Sequence, residues 1–346
     1  MISLLVAGVV SFFTALLGMP VLIRWLASRG IGQPIRSDGP QSHQLKKGTP
    51  TMGGIAIVVA AVCGYVIPHF TPGRLPFSRR GLLVVFAFVG AAAVGLADDW
   101  IKITRKRSLG LNKRAKVAGQ FLVALVFAWL AISWAGVDPV LGFTRPQRPG
   151  WVIPAVVWIV LMMLVVIGSS NAVNLTDGLD GLAAGSSVYA FAAYTIMGFW
   201  MFRHVGDYQI ERALDVAVVA ASMVGACAGF LWWNAAPARI FMGDVGSLAI
   251  GSALGAIAVV TYTPLLLPVI GGLFVMETLS VMLQIFTFRL MGGRRIFRMA
   301  PIHHHFELKG WPETTVIIRF WILGMIAAAL GIGLFYADFL RLGGID

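Results

Sequence analysis

The chain has 346 residues, of which 58% are hydrophobic and only 12% are charged. A soluble globular chain carries about 25% charged residues, so this composition excludes a soluble globule and predicts an integral membrane protein. The net charge of +12 would suggest a nucleic-acid partner in a soluble protein. Here we attribute it to loops that face anionic lipid headgroups in the bilayer, and we expect no nucleic acid.

Ten segments are long and apolar enough to cross a bilayer as helices, which takes about 20 residues each. The first basic residue, Arg24, follows the first apolar run, which indicates a retained helix and not a cleaved signal peptide. Residues 136–150 predict an outer loop, and Pro268, Gly271 and Gly272 predict a bend or break in the ninth segment. The segments are residues 3–25, 53–70, 81–98, 116–135, 151–168, 181–202, 213–232, 246–262, 265–288 and 319–339.

Ten spans place both termini on one side of the membrane, and the distribution of Lys and Arg selects the side. With the N-terminus outside, 19 of the 27 basic residues lie in inner loops. The longest polar stretches, residues 28–52, 99–115 and 289–318, lie on that inner side as well. We therefore expect an all-α integral membrane protein with about ten transmembrane helices, N-out and C-out, as one polytopic domain over residues 1–346.

Polar residues gather in five clusters in the predicted inner loops or at the inner helix ends, and the topology brings these clusters to one membrane face. The first cluster is residues 46–54, which read KKGTPTMGG. Lysine supplies a compact cation for phosphate, and glycines let the backbone approach a ligand closely. A basic loop that starts a helix is the alternative interpretation.

The second cluster is Asp98 and Asp99, which end the third segment. Two acids at a helix C-terminus oppose the helix dipole, which favours cations there. A divalent cation, a basic partner or a role in proton transfer would explain them. A solvated pair neutralised by Lys102 and Arg105 is the alternative.

The third cluster is residues 171–181, NAVNLTDGLDG. Asn171, Asn174, Asp177 and Asp180 recur every three residues, which can align them on one side of a helical turn. Such a row suits sugar hydroxyls, a base edge or hydrated Mg²⁺, and a polar helix–loop junction is the alternative.

The fourth cluster combines Asn234 with residues 241–247, FMGDVGS. A single carboxylate, Asp244, between two glycines at the start of the eighth segment suits a ligand that must come close. Ordinary capping of the helix N-terminus explains the same residue. Phe241 taken alone would be a packing or lipid-facing aromatic.

The fifth cluster is residues 299–313, with the consecutive histidines His303, His304 and His305. Zinc sites usually space their ligands more widely, so a structural zinc site is disfavoured. We interpret the histidines as donors to phosphate or sugar, or as proton carriers. A solvated loop is the alternative.

Together these side chains suit phosphoryl transfer, which needs cations near the phosphates and in-line positioning. Mg²⁺ binds through one or two carboxylates plus phosphates and waters. Asp98, Asp99, Asp177 and Asp244 can supply those carboxylates. The sequence has no Walker P-loop and no Rossmann glycine pattern in a βαβ context, so a nucleotide would be held in another way.

The motifs at residues 48–54, 97–99, 171–181, 241–244 and 301–307 resemble the signatures of the bacterial phospho-MurNAc-pentapeptide transferase family, in order and over nearly the whole chain. The wider superfamily of polyprenyl-phosphate N-acetylhexosamine-1-phosphate transferases shares the Asp-Asp and Asn/Asp motifs, and the triple-His segment is typical of the MurNAc-pentapeptide branch. The resemblance implies a Mg²⁺-dependent enzyme of the bacterial cytoplasmic membrane, commonly a homodimer, with a cytoplasmic active-site cleft. It implies transfer of phospho-MurNAc-pentapeptide from UDP-MurNAc-pentapeptide to undecaprenyl phosphate, giving lipid I and UMP.

Carried over residue by residue, the resemblance implies a catalytic group around the aspartates. Asp244 looks like the direct Mg²⁺ ligand, Asp98 resembles the general base proposed for the lipid phosphate, and Asp99 resembles its essential neighbour. A covalent aspartyl nucleophile is the alternative. We favour one-step attack because a lipid phosphate is already largely ionised at about pH 7. The catalytic group is completed by residues that look like substrate contacts, namely His303, His304 and His305.

The resemblance also implies residues that bind the substrates. They comprise a nucleotide-side row, an aromatic that stacks on uracil and further substrate contacts. The nucleotide-side row is Asn171, Asn174, Asp177 and Asp180, and the aromatic is Phe241. The further substrate contacts are Lys46, Thr51, Asn234 and Gln284.

Two further function classes stand beside this interpretation. A sister enzyme that transfers another UDP-activated sugar phosphate, such as GlcNAc-1-phosphate, is the nearest rival, and the triple-His segment argues against it. A transporter would explain interrupted helices and the intramembrane Glu277, but the polar groups gather at the inner helix ends and no internal repeat occurs. A purely structural membrane protein would not need this set of carboxylates, amides and histidines.

Overall fold

The computed structural model describes residues 1–32, 48–71, 75–105 and 110–342. Within those residues, nine helices are long and apolar enough to cross a membrane, and a further apolar helix, Gly54–Phe70, is shorter. The expected helical, multi-pass membrane protein is confirmed at this level. In chain order the elements are α1 (Ile2–Ser28), α2 (Gly54–Val66, continued by the 3₁₀ turn Ile67–Phe70), α3 (Arg79–Thr104), α4 (Lys113–Ser133), β1 (Val140–Arg145), β2 (Arg148–Val152), α5 (Ala155–Thr176), α6 (Leu182–Arg203), α7 (Val205–Tyr208), α8 (Ala213–Asn234), α9 (Gly243–Val260), α10 (Leu267–Ile270), α11 (Gly272–Leu290), α12 (Ile302–Glu307) and α13 (Glu313–Leu342).

Helices α8 and α9 form the centre of the bundle. Their apolar windows are 83% and 94% buried, compared with 22% for α1 and 28% for α4. Helix α9 packs against α3 and α5, whereas α8 packs against α1 and α6. Both central helices are rich in Gly, Ala and Ser, whose small side chains let neighbouring backbones come close. The outer helices instead expose large apolar side chains such as Leu17, Phe121 and Leu164, as surfaces that face lipid do.

Two features of the helices bear on the sequence predictions. The predicted break in the ninth segment is confirmed, because α10 ends at Ile270 and α11 begins at Gly272, with Gly271 between them. The fifth segment is longer than predicted, because α5 continues to Thr176 and includes Asn171 and Asn174. Hydropathy falls in that last part of α5 because the helix carries polar side chains there, so an apolar window ends too early.

A short β-hairpin replaces the loop predicted at residues 136–150, and the all-α expectation misses it. Strands β1 and β2 pair in antiparallel orientation, and Asp338 near the end of α13 holds them. The carboxylate of Asp338 lies 3.2 Å from Arg145 Nε and 2.8 Å from Arg148 Nη1, and it accepts a hydrogen bond from Thr144 Oγ1. These partners are far apart in the chain, so local sequence patterns do not report the pairing.

Two clusters of buried side chains with carboxylates lie at different levels of the bundle. At one level, Asp215 in the first turn of α8 accepts hydrogen bonds from Tyr65 and Ser78 and contacts His69. At the other level lies Asp98, near the end of α3. Because a helix rises about 1.5 Å per residue, Asp98 lies about 30 Å along α3 from Ser78, which is roughly the thickness of the hydrocarbon core of a bilayer.

Candidate active site

Three carboxylates from two helices meet at the second of these levels. Asp98 and Asp99 near the end of α3 and Asp244 in the first turn of α9 offer oxygens that lie within 4.8 Å of one another. Among the described residues, only this group has three His, Cys, Asp or Glu side chains that are close enough to share a metal ion. The second and fourth sequence clusters therefore come together. Their donor set is all carboxylate oxygen, which fits a hard divalent cation.

The close approach of α3 to α9 depends on two glycines. A Cβ on Gly95 would lie 2.3 Å from the backbone oxygen of Asp244. Gly243 has a φ of 72°, which disfavours residues with a side chain, and a Cβ there would lie 2.5 Å from Asp99 Oδ2. Asp99 also accepts a hydrogen bond from Val245 N at 3.1 Å, so it fixes the start of α9.

Two lysines neutralise the carboxylates. Lys102 Nζ lies 2.7 Å from Asp98 Oδ2, 3.2 Å from Asp99 Oδ1 and 2.5 Å from Asp244 Oδ2. Lys116 on α4 lies 2.9 Å from Asp244 Oδ2. The sequence interpretation treated Lys102 only as a residue that neutralises a solvated pair of acids, whereas Asp98 and Asp99 are both buried. It did not single out Lys116, whose contact with Asp244 leaves no local signal.

Backbone hydrogen bonds join the first and fourth sequence clusters. Phe241 N donates to Pro50 O at 2.8 Å, and Gly53 N donates to Phe241 O at 2.9 Å. Thr51 lies against the start of α9, since a Cβ on Gly243 would lie 3.2 Å from Thr51 Oγ1. Thr51 and Phe241 are therefore neighbours of the carboxylate cluster.

Part of the third sequence cluster faces the carboxylates. Asn174 Nδ2 donates to Asp244 Oδ1 at 2.8 Å. Asp177 directly follows α5. Burial, and then the negative charges of Asp244, Asp99 and Asp180, raise the pKa of Asp177 well above its ordinary value. The end of α5 thus adds an amide and a carboxyl group to the site.

The other two members of the predicted row point elsewhere. Asn171 Nδ2 lies 3.3 Å from Gln120 Oε1 on α4, and Asp180 Oδ2 accepts a hydrogen bond from Ala238 N at 2.9 Å. The row of four divides because α5 ends before Asp177, so the helical spacing does not continue through the whole motif.

Asn234 is buried and binds backbone with both ends of its amide. Its Oδ1 accepts from Gly181 N at 3.0 Å, and its Nδ2 donates to Ile240 O at 2.9 Å. It therefore holds the turn at residues 177–181 against the connection between α8 and α9. The structure places Asn234 as a support of the site.

His303 lies behind the third cluster. It is 0% exposed, and its Nδ1 lies 3.1 Å from Glu277 Oε2 on α11. A Cβ on Gly178 would lie 2.3 Å from His303 Nε2. The sequence interpretation placed His303 in contact with substrate, whereas here its ring contacts the protein around it.

His304 and His305 are partly exposed and are held separately. His304 Nδ1 lies 2.7 Å from Glu307 Oε2. His305 Nδ1 accepts a hydrogen bond from Arg298 N at 3.0 Å. Burial and the cations of Lys309 and Arg298 lower the pKa of His305, which favours the neutral ring that this hydrogen bond requires.

Gln284 lines a cavity of about 680 Å³ beside α11. Its Oε1 accepts a hydrogen bond from Phe297 N at 3.0 Å, and Arg295 and Arg298 lie in the same lining. Lys46, which the resemblance assigns to substrate binding, lies outside the described residues.

Two family models match the chain. The model for glycosyl transferase family 4 matches residues 81–262, which span α3 to the end of α9 and hold the carboxylate cluster. The phospho-N-acetylmuramoyl-pentapeptide-transferase signature 1 matches residues 46–58.

Full-length relatives agree with these matches. The phospho-N-acetylmuramoyl-pentapeptide-transferase of Frankia casuarinae is 51% identical, over 99% of this chain and 99% of the relative. The proteins of the same name from Cutibacterium acnes and Streptomyces griseus are 48% and 47% identical, each over 97% of this chain and 98% of the relative. Identity of this extent, together with the signature match, shows that the chain belongs to the phospho-N-acetylmuramoyl-pentapeptide-transferase family.

Proposed function

We propose that this enzyme transfers phospho-MurNAc-pentapeptide from UDP-MurNAc-pentapeptide to undecaprenyl phosphate, forming lipid I and UMP. Membership of the family supports the reaction. The observation that carries the site is the meeting of Asp98, Asp99 and Asp244 with the ammonium groups of Lys102 and Lys116. Opposite charges packed in this way suit the binding of phosphates together with a metal ion.

Asp244 is the residue that we assign as the direct Mg²⁺ ligand. Its side chain is 12% exposed, compared with 4% for Asp98 and 3% for Asp99, so it presents the most accessible carboxylate of the three. Asn174 orients one of its oxygens. When bound, Mg²⁺ supplies charge neutralisation on the phosphates of both substrates.

The reaction is a displacement at the phosphorus attached to the sugar. The bond that forms joins this phosphorus to a phosphate oxygen of the lipid, and the bond that breaks joins it to UMP. Because the lipid phosphate is largely ionised at about pH 7, one-step attack needs little help from a base, and Asp98 takes any remaining proton. Lys102 and Lys116 donate to phosphate oxygens, while Asp99 holds the start of α9 through Val245 N.

We assign further residues to the nucleotide and sugar side of the cleft. Phe241, beside the cluster, offers a ring for stacking on uracil. Asn174 and Asp177 face the cluster from the end of α5. The remaining substrate contacts rest on the resemblance and comprise Lys46, Thr51, Asn171, Asp180, Gln284, His304 and His305. The resemblance also implies Asn234 and His303 as substrate contacts, and we assign these two as supports of that side because their side chains contact protein groups.

We place the enzyme in the bacterial cytoplasmic membrane, N-out and C-out, with the active site facing the cytoplasm. The distribution of basic residues supports this orientation. The expectation of a homodimer rests on the resemblance alone, and native mass spectrometry of the protein in nanodiscs would test it.

Product analysis tests the proposed function directly. Purified protein is incubated with UDP-MurNAc-pentapeptide, undecaprenyl phosphate and Mg²⁺, and we expect lipid I and UMP in equal amounts. UDP-GlcNAc is added as a competing donor in a parallel reaction. Preference for UDP-GlcNAc would replace the proposal with the sister GlcNAc-1-phosphate transferase.

Asp244→Ala tests the metal assignment. We expect no lipid I from this variant, although it still inserts into membranes and is extracted by detergent like the wild type. The matched control is Glu211→Ala, which removes an exposed carboxylate at the opposite end of the bundle. Substantial Mg²⁺-dependent turnover by Asp244→Ala would show that the ligand is another residue.

A further inference from the structure

Glu277 and His303 form a fully buried pair beside the active site. Both side chains are 0% exposed, and His303 Nδ1 lies 3.1 Å from Glu277 Oε2. Among the described residues, neither the carboxylate oxygens of Glu277 nor the ring nitrogens of His303 make a hydrogen bond, so the 3.1 Å contact between them is an electrostatic one. A buried carboxylate without a partner is strongly unfavourable, so each group depends on the other, and Glu277 fixes the orientation of the ring.

The other edge of the ring lies against the turn that follows α5. A Cβ on Gly178 would lie 2.3 Å from His303 Nε2 and 2.9 Å from Cε1. Gly178 stands between Asp177 and Asp180, so a displaced ring would move the backbone that carries both carboxyl groups.

The same turn is supported from two other helices. Asn234 Oδ1, at the end of α8, accepts from Gly181 N at 3.0 Å, and Glu313 Oε1, at the start of α13, accepts from Asp180 N at 3.1 Å. His303 supplies the support on the side of α11 and α12. The turn at residues 177–181 is thus held by several elements, and Glu277 controls one of these supports.

We infer that Glu277 is a positioning residue that acts through His303 on the turn at residues 177–181. The inference rests on the proposed function, in which Asp177 and Asp180 belong to the nucleotide side of the cleft. Glu277 therefore sets the affinity for the UDP-linked donor and leaves the affinity for undecaprenyl phosphate unchanged. The role also accounts for a carboxylate inside a membrane-spanning helix without any transport pathway.

Two substitutions of Glu277 separate this role from a general structural one. Glu277→Leu removes the carboxylate that faces His303, and we expect the KM for UDP-MurNAc-pentapeptide to rise on the order of ten-fold, while the KM for undecaprenyl phosphate stays constant. Glu277→Gln keeps an acceptor oxygen and restores the donor KM to within about two-fold of the wild type. Leu279→Ala, which shortens a half-exposed side chain on the same helix, serves as the control with unchanged constants. Equal rises in both KM values, or no rescue by Gln, would overturn the inference.

A double-mutant cycle tests the contact itself. Gly178→Ala places a methyl group against the His303 ring, so we expect a raised donor KM in Gly178→Ala and in His303→Ala, and a double variant no worse than Gly178→Ala. Multiplied losses in the double variant would overturn the inference, because they would mean that the two residues act independently. Thermal unfolding temperatures of Gly178→Ala, His303→Ala and the double variant report the contact between Gly178 and the His303 ring in the same way. This readout remains if Glu277→Leu fails to fold or if turnover is absent. Lack of lipid I from the wild type would defeat the proposed function, whereas additive effects in an active enzyme defeat only the role of Glu277.

Discussion

Lys102 places its ammonium group among the three carboxylates of the proposed active site, within 3.2 Å of an oxygen of each. An ammonium group and Mg²⁺ are stabilised by the same oxygens and repel one another, so they compete for this position. We expect Lys102→Met to bind Mg²⁺ about ten-fold more tightly than the wild type, which corresponds to about 1.4 kcal/mol. Turnover should fall, because a cation near the phosphates is lost. Calorimetric titration with MgCl₂ measures the affinity, and lipid I formation measures the turnover.

The control for this prediction is Lys113→Met, which removes an exposed lysine at the start of α4. This variant should bind Mg²⁺ like the wild type, because a solvent-exposed charge is screened by water and salt. An unchanged or weaker Mg²⁺ affinity in Lys102→Met would show that the ammonium group does not compete with the ion.

Asp177 gives the enzyme a predictable dependence of stability on pH. Its raised pKa means that the folded chain binds a proton that the unfolded chain has already released. Stability therefore falls as the pH rises from the ordinary aspartate pKa of about 3.9 toward the raised value in the folded chain. Asp177→Asn removes this titration, so its unfolding temperature in detergent should exceed that of the wild type at neutral pH. The difference should shrink toward about pH 4, and a difference that did not vary with pH would contradict the assignment.

Sequence motifs predicted the carboxylates of the site better than the groups around them. Asp98, Asp99 and Asp244 each stand in a motif that marks an unusual placement of charge. Lys116 is 128 residues from Asp244 in the chain and lies in no such motif, because the packing of α4 alone brings it there. Glu277 was visible as an intramembrane carboxylate, but its partner is set by the tertiary contact of α11 with α12.

Among the elements, the contact between α3 and α9 sets the spacing of the carboxylates that we assign to catalysis. A Cβ on Gly95 would lie 2.3 Å from a backbone oxygen of α9, which cannot rotate away as a side chain would. Gly95→Ala should therefore push the two helices apart and separate Asp98 and Asp99 from Asp244. Because a displacement of about 1 Å can lower turnover about 100-fold, we expect lipid I formation to fall by that order and the Mg²⁺ affinity to fall with it.

The matched control is Gly168→Ala on α5, where an added Cβ would meet nothing within 4 Å. Alanine is favoured over glycine inside a helix by about 1 kcal/mol, so this variant should be active and slightly more stable. Normal turnover by Gly95→Ala would show that the spacing of α3 and α9 tolerates change. Thermal unfolding of both variants separates an altered site from a misfolded chain.

Element boundaries followed from hydropathy wherever a helix is apolar along its whole length, and they failed where polar groups enter. The end of α5 carries Asn171 and Asn174 toward other helices, so the apolar window stopped eight residues before Thr176. The hairpin escaped prediction for a different reason. Its anchor is Asp338, almost two hundred residues from Thr144, and a two-stranded sheet needs such a contact to be stable.

For the whole molecule, the two levels of buried polar groups define two ends of the bundle. The level of Asp215 and the level of Asp98 are separated by about 30 Å along α3. Apolar side chains cover the outer helices between them. The hydrocarbon core of a bilayer has this thickness, so the two levels match its two boundaries. The carboxylate cluster can then meet a soluble nucleotide donor and a lipid phosphate at one membrane surface.

Which surface that is can be measured by labelling single cysteines in a background that carries Cys63→Ala and Cys227→Ala. The two labelling sites are Gln147, which is exposed at the hairpin tip, and Lys309, which is exposed beside α12, the helix that carries the three histidines. The variants are Gln147→Cys and Lys309→Cys. With the N-terminus outside, a maleimide that cannot cross membranes should label Gln147→Cys in cells whose inner membrane is intact, and Lys309→Cys only after that membrane is opened. This expectation follows from the proposed orientation, which places 19 of the 27 basic residues on the inner side. The reverse labelling pattern would place the active site outside and would contradict the proposed orientation.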